Sequence, residues 1–141
     1  MTIVDGFLSD LREDLKRDEG VKNFPYRDTE NILTIGCGRN LEDRGVSDDE
    51  IDLMLTNDLK WVIQDLDRNL PWWRGMPVSK QRALANMVFN LGYPRLSGFK
   101  KMLAALKAGD WSEAATQALD SRWARQVGDR AQRVAELIRE D

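Results

Sequence analysis

The chain of 141 residues contains no histidine and only one cysteine, Cys37. Without histidine it has neither Ser-His nor Cys-His nucleophilic systems, and it lacks the commonest zinc ligand. A single cysteine cannot form an intramolecular disulfide, so the fold must be stabilised by packing. Acid–base chemistry in this chain would depend on carboxylates, and we expect neither a metal ion nor an organic cofactor.

Long hydrophobic runs are also absent. No apolar segment reaches the length of a membrane-spanning helix, and the acidic N-terminal segment does not have the pattern of a secretory signal. We therefore expect no membrane insertion and no export signal. Hydrophobic residues make up 42% and charged residues 32% of the chain, which indicates a soluble globular domain rather than a disordered one.

The net charge of −3 is unevenly distributed. Residues 1–70 carry 17 acidic and 9 basic side chains, whereas residues 71–141 carry 7 and 12. A basic surface in the second half could meet an anionic polymer, although solvated helix faces explain most of these charges individually. Because the isoelectric point is about 5.1, nucleic acid is not the favoured partner.

The first half of the chain predicts a helix followed by a small sheet. Apolar residues recur at helical spacing over residues 3–19. Segments 24–28 and 32–35 flank a short turn at 29–31, which predicts a hairpin, and Gly36 and Gly38 permit sharp bends after it. A third short strand is expected near Leu41.

The rest of the chain predicts helices. Ser47 and Glu50 form a capping-box pattern that opens an amphipathic helix ending before Pro71. Further helices are predicted from Ser79 to Gly92 and over residues 96–107, 111–120, 121–125 and 128–139. The expected architecture is α+β in a single domain, 1–141. A small lobe of about 16–58 with a three-stranded antiparallel sheet would be joined by a long helix to a helical lobe of 71–141 plus the N-terminal helix.

Two carboxyl groups in this framework suit glycoside hydrolysis. Glu19 lies on the apolar stripe at the C-terminal end of the first helix, where the helix dipole and partial burial would both favour a protonated acid. Asp28, at the mouth of the hairpin, would serve as a base or stabilise positive charge on a sugar. Thr34 offers a hydroxyl that could position water. A pair of carboxyls in different environments is what glycoside hydrolysis needs.

Each of these residues also has an ordinary structural interpretation. A glutamate at the end of a helix is commonly solvated, and Asp-Thr is common in turns. Thr34 is a good strand residue. Composition and spacing alone therefore leave both interpretations open.

A resemblance to a known family favours the enzymatic interpretation. Residues 17–41 are similar to the active-site segment of T4-type phage lysozymes, with R-x-E-G on a helix, Y-x-D-T-E opening a hairpin, and then T-I-G-x-G. The likeness continues in the same order through R-A-L-A-N-M-V-F-N-L-G, S-G-F, W-S-E-A-A, S-R-W and D-R-A-Q-R-V. It extends over nearly the whole chain.

The resemblance implies a lysozyme-like fold and a muramidase that cuts peptidoglycan glycan strands between N-acetylmuramic acid and N-acetylglucosamine. Glu19 would donate a proton to the leaving oxygen, Asp28 would be the second catalytic residue, and Thr34 would orient water in an inverting reaction. Arg130 would support the catalytic glutamate. The resemblance also implies a set of sugar-binding residues: Asn40, Phe89, Asn90, Gln117 and Trp123.

The chain departs from the family pattern at two positions. Arg39 stands where many members carry histidine, and we expect it to pair with an acid on the long helix, Asp58 being the first candidate. Cys37 stands at a normally apolar position, and we expect it to be buried.

The resemblance implies an endolysin that acts as a monomer. It would wait in the host cytoplasm until a phage holin releases it to the periplasmic cell wall. The alternatives are a lytic transglycosylase or chitin-type hydrolase, and a non-catalytic protein that binds wall fragments. Transglycosylases typically need one glutamate and no second carboxylate, so Asp28 disfavours them. A nucleic-acid-binding helical domain is less favoured still.

Overall fold

The computed structural model describes residues 2–140, which form the expected α+β fold. The chain divides into two compact units, the first ending at Asp52 and the second beginning at Leu53. The sheet lies in the first unit, and the helices after the sheet lie mostly in the second.

The first unit begins with helix α1, Phe7–Glu19. This helix starts later than the apolar periodicity predicts, because Gly6 at its N-cap has a φ of 85° that a right-handed helix does not admit. We expected partial burial on the apolar stripe of this helix. Instead, the side chains of Phe7, Leu8, Leu11 and Leu15 are between 37% and 59% exposed.

Three antiparallel strands follow in the order β1-β2-β3: Lys22–Arg27, Leu33–Gly36 and Arg39–Asn40. Thr34 on the central strand pairs with Tyr26 on one side and with Asn40 on the other. The turn from Asp28 to Ile32 joins β1 to β2. Both the predicted hairpin and the third short strand are confirmed.

Helix α2, Asp48–Asn69, begins in the first unit and continues into the second. The predicted capping box is present, since Glu50 donates its backbone N–H to Ser47 Oγ at 3.2 Å and Ser47 returns its N–H to Glu50 Oε1 at 2.8 Å. The helix has 22 residues and is about 33 Å long. It ends before Pro71, as predicted, and a 3₁₀ helix, Pro71–Gly75, follows.

The second unit is helical and contains the hydrophobic core. Its helices are α3 Val78–Leu91, α4 Tyr93–Leu96, α5 Lys100–Ala108, α6 Trp111–Leu119, α7 Arg122–Val127 and α8 Asp129–Arg139. Helix α8 packs against α3, α6 and α7, and α5 packs against α6. The buried core cluster of the described residues lies entirely between Val62 and Ile138. None of the helices within residues 2–140 is both long and apolar enough to cross a bilayer.

Candidate active site

Glu19 is the last residue of α1, and its side chain is exposed. The expectation of partial burial was wrong, because the stripe to which Glu19 belongs is itself exposed. The carboxyl group nevertheless has a close neighbour in the turn between β2 and β3. A methyl group built on Gly38 Cα would lie 2.9 Å from Glu19 Oε2, so the glutamate packs directly on the glycine backbone.

Asp28 organises the turn between β1 and β2. Its Oδ1 accepts the backbone N–H of Glu30 at 2.8 Å and that of Ile32 at 2.9 Å. The main chain closes the same turn, since Asp28 donates its N–H to the Ile32 carbonyl at 3.0 Å. These bonds fix the orientation of the Asp28 carboxyl. Its second oxygen, Oδ2, has no hydrogen-bond partner among the described residues.

Thr34 lies on the central strand and is 4% exposed. Its hydroxyl donates to the Ile32 carbonyl at 2.8 Å. Because the hydroxyl hydrogen is committed to this bond, the oxygen is left as an acceptor. Asp28 and Thr34 are thus both anchored to Ile32, one to its N–H and the other to its carbonyl.

Arg39 pairs with an acid on α2, as expected, but the partner is Glu50 and the prediction of Asp58 was wrong. Arg39 Nη1 lies 2.8 Å from Glu50 Oε1 and also donates to the Gly45 carbonyl at 3.1 Å. Glu50 is in the first turn of α2, close to β3 along the chain, whereas Asp58 is about 12 Å further along the helix axis. The hydrogen bond from Arg39, followed by those from Ser47, lowers the pKa of Glu50 to about 2. The pKa of Arg39 is raised by the same bond and the same charge.

Two further residues of the first unit, Asn40 and Cys37, lie in or beside the turn that leads into β3. Asn40 uses its amide in a local turn, where Oδ1 accepts the Asp43 N–H at 2.9 Å and Nδ2 donates to Asp43 Oδ2 at 2.9 Å. Cys37 is exposed, so its predicted burial was wrong. It lies between Gly36 and Gly38 in the turn that joins β2 to β3.

In the second unit, Gln117 and Trp123 line a cavity of about 820 Å³. Its lining includes the apolar side chains of Leu91, Phe99 and Met102. Four cationic residues, Arg95, Lys100, Lys101 and Arg122, line it together with one acid, Asp120. Among the described residues none of these five side chains forms an ion pair. A cavity of this size, lined by apolar side chains and by more cationic than acidic groups, suits an anionic ligand.

Trp123 is only 4% exposed, and it packs edge-to-face against Phe99 with ring centres 6.3 Å apart. Its indole N–H donates to Asn90 Oδ1 at 2.7 Å, so two of the candidate sugar-binding residues are bonded to each other. Phe89, the remaining aromatic candidate, is 45% exposed and lines a separate groove beside Trp61 of α2.

Arg130, at the start of α8, is held by α3. Its Nε donates to Asn86 Oδ1 at 2.9 Å, which fixes the guanidinium within the helical unit. Its role as a support for Glu19 stays a prediction.

The sequence profile of phage lysozymes matches residues 16–139, a range that contains every candidate residue. The chain belongs to the phage lysozyme family. Within curated proteins, it is 31% identical over 91% of its length to the pre-baseplate central spike protein Gp5 of Enterobacteria phage T4, of which it spans only 27%. It is 28% identical over 93% of its length to a probable T4-type lysozyme 2 of Dictyostelium discoideum, covering 94% of that protein. It is also 32% identical over 85% of its length to the SAR-endolysin of Escherichia phage Mu, covering 69% of that protein.

Family membership confirms the resemblance drawn from the motifs. One feature of the site was missed in the sequence. The T-I-G-x-G motif marked Gly38 as a bending residue, yet nothing in its spacing indicated that Glu19, nineteen positions earlier, would pack on it.

Proposed function

We propose that this member of the phage lysozyme family is a muramidase that hydrolyses the β-1,4 bond between N-acetylmuramic acid and N-acetylglucosamine in peptidoglycan. Glu19 is the general acid, Asp28 the second carboxylate, and Thr34 the residue that orients the attacking water. The observation that carries the proposal is the anchoring of Asp28 and Thr34 to the same residue, Ile32.

That anchoring defines how a water molecule would be held. Thr34 Oγ1 can only accept a hydrogen, because its own hydrogen is donated to Ile32. Asp28 Oδ2 is a second acceptor, since the turn uses only Oδ1. A water that donates one hydrogen to each of these oxygens presents its lone pair to the sugar and loses a proton to Asp28 during attack. A direct attack by water on the sugar, without a covalent glycosyl-enzyme intermediate, corresponds to an inverting reaction.

Glu19 would act on the leaving oxygen. An exposed carboxyl at the end of a helix is accessible to a polymeric substrate. When Glu19 protonates the glycosidic oxygen, the leaving group departs as a neutral alcohol and not as an alkoxide. The sugar-binding candidates, Asn40, Phe89, Asn90, Gln117 and Trp123, keep their predicted roles as part of this proposal.

The experiment is turbidity clearing of outer-membrane-permeabilised bacteria by the wild type, Glu19→Gln and Asp28→Asn. Loss of the general acid should lower the rate by about 100- to 10,000-fold. Asp28→Asn should lose most of the activity. Glu13→Gln, an exposed change on the same helix, is the control and should retain it. Undiminished clearing by Glu19→Gln would reject the assignment, and anhydro-sugar products would indicate a transglycosylase instead.

We further propose that the cationic cavity of the second unit holds an anionic part of the cell wall. Lys101 and Lys107 lie on the same helix, α5, but only Lys101 lines the cavity. At low salt, Lys101→Glu should weaken activity against whole walls more than Lys107→Glu does, although both change the net charge equally. Equal losses would show that only the overall charge matters.

The cellular role that we propose is that of an endolysin. The protein would act as a monomer and remain in the host cytoplasm until a phage holin allows it to reach the periplasmic wall. Expression in a Gram-negative host with and without a holin tests this dependence. Lysis without the holin would contradict it.

A further inference from the structure

We propose that Gly38 is a positioning residue for Glu19. Because glycine has no side chain, the backbone at Gly38 forms a surface against which the catalytic carboxyl packs. The proposal rests on the proposed function in one respect, namely that Glu19 is the general acid. It adds a second residue, on a different element, that determines where the acid lies.

The contact involves most of the glutamate side chain. A Cβ atom on Gly38 would lie 2.9 Å from Oε2, 3.2 Å from Cδ and 3.3 Å from Cγ of Glu19. Three atoms at these distances mean that the side chain lies flat against the glycine. Any other residue at position 38 would therefore have to displace the carboxyl.

No other group of the first unit holds this carboxyl. Among residues 2–52, Glu19 has no ion pair and no side-chain hydrogen bond, and the side chain is exposed. An exposed glutamate without partners would sample several rotamers. Contact with Gly38 is the restriction that the first unit supplies, and a general acid needs its reactive atom held within about 0.5 Å.

The surface under Glu19 is itself anchored. Gly38 precedes β3, where Arg39 pairs with Ile35 of β2. The Arg39 side chain is bound to Glu50 on α2 and to the Gly45 carbonyl. The turn that carries Gly38 is therefore tied to the sheet and to the start of α2.

Gly36 provides a matched control. Both glycines have a φ of 70°, so alanine at either position suffers the same backbone strain. A Cβ on Gly36 meets nothing within 4 Å. The difference between Gly38→Ala and Gly36→Ala thus isolates the displacement of Glu19 from the strain of the turn.

The first measurement is steady-state hydrolysis of a soluble oligosaccharide of alternating N-acetylglucosamine and N-acetylmuramic acid. Gly38→Ala should lower kcat by about a hundredfold, the loss expected for a misplaced catalytic group, with a much smaller change in KM. Gly36→Ala should change kcat little among the folded molecules. Equal kcat losses for the two variants would overturn the proposal.

The second measurement does not depend on activity. Thermal unfolding is compared for Gly38→Ala, Glu19→Ala and the double variant, with the same set for Gly36. In the wild-type background, Gly38→Ala should lower the melting temperature slightly more than Gly36→Ala, because the atoms that must move are the flexible end of an exposed side chain. In the Glu19→Ala background, the two glycine variants should lower the melting temperature equally, because the glutamate side chain that the new Cβ would displace is absent.

The two measurements separate the possible failures. If the melting-temperature changes of Gly38→Ala and Glu19→Ala are non-additive but the wild type is inactive, the contact exists and Glu19 is not a general acid. Gly38 then has no positioning role. If those melting-temperature changes are additive and the wild type is active, Gly38 does not position Glu19 and the proposed function is unaffected.

Discussion

Asp28 and Thr34 are hydrogen-bonded to opposite sides of one residue, since Ile32 donates its N–H to the aspartate at 2.9 Å and accepts the threonine hydroxyl at 2.8 Å. The spacing between the two side chains is therefore fixed by the backbone of the turn. In the proposed reaction this backbone sets the position of the attacking water.

Asp28 has a structural and a proposed chemical role that substitution can separate. Asp28→Asn keeps an oxygen that can accept from Glu30 and Ile32 but removes the charge, so activity should fall while stability is nearly unchanged. Asp28→Ala removes the turn bonds too and should lower the free energy of unfolding by about 1–3 kcal/mol. Urea denaturation combined with turbidity clearing checks both outcomes. An Asp28→Asn variant as unstable as Asp28→Ala would contradict this division.

The contribution of Thr34 to activity should depend on its hydroxyl group and not on its shape. Thr34→Val keeps the volume of this buried residue but loses the acceptor oxygen, so kcat should fall by about tenfold or more. It should also cost about 1 kcal/mol of stability, since the hydrogen bond from the threonine hydroxyl to the Ile32 carbonyl is lost, although that carbonyl still accepts the Asp28 N–H. Thr34→Ser retains the hydroxyl and is expected to stay active. Similar rates for the valine and serine variants would show that water is oriented elsewhere.

The Arg39–Glu50 pair predicts a pH dependence of stability. The pKa of Glu50 is lowered from 4.5 to about 2 in the folded protein. The contribution of ionised Glu50 to the stability of the fold is therefore fully present above about pH 4.5 and is lost as pH falls towards 2. Glu50→Gln keeps a capping oxygen but removes the charge. Its stability should therefore fall less than that of the wild type across this window, as measured by urea denaturation at a series of pH values.

A nearby acid supplies the control for that series. Asp49, also in the first turn of α2, makes no ion pair among the described residues. Asp49→Asn leaves the Arg39–Glu50 pair intact and should therefore keep the stability loss that this pair causes between pH 4.5 and 2. If Glu50→Gln and the wild type lost the same stability between pH 4.5 and 2, the ion pair would not contribute to folding.

We predict that Asn90 stabilises the fold by accepting the hydrogen bond of Trp123. Because the buried indole N–H donates to Asn90 Oδ1, Asn90→Ala should leave that donor unsatisfied and cost about 1–3 kcal/mol of stability. Asn90→Asp retains an acceptor and should be milder. Thermal unfolding with tryptophan fluorescence distinguishes the two variants. Equal destabilisation would mean that the hydrogen bond contributes little.

Much of the local structure was predictable because its causes are local. Helix α2 follows from the capping box at Ser47 and Glu50 and from Pro71 beyond its end, which determine backbone hydrogen bonding within a few residues. The hairpin around Asp28 follows similarly from turn chemistry. The likeness to phage lysozymes, read from ordered motifs, is confirmed over residues 16–139.

By itself, then, the sequence determined most of the elements, the family and the residue types available for chemistry. Tertiary structure decided which groups meet. It paired Arg39 with Glu50 rather than Asp58, left Cys37 and Glu19 exposed, and placed Glu19 on Gly38. The physical reason is that local bonds are specified by neighbours along the chain, whereas burial and side-chain contact depend on how separate elements pack.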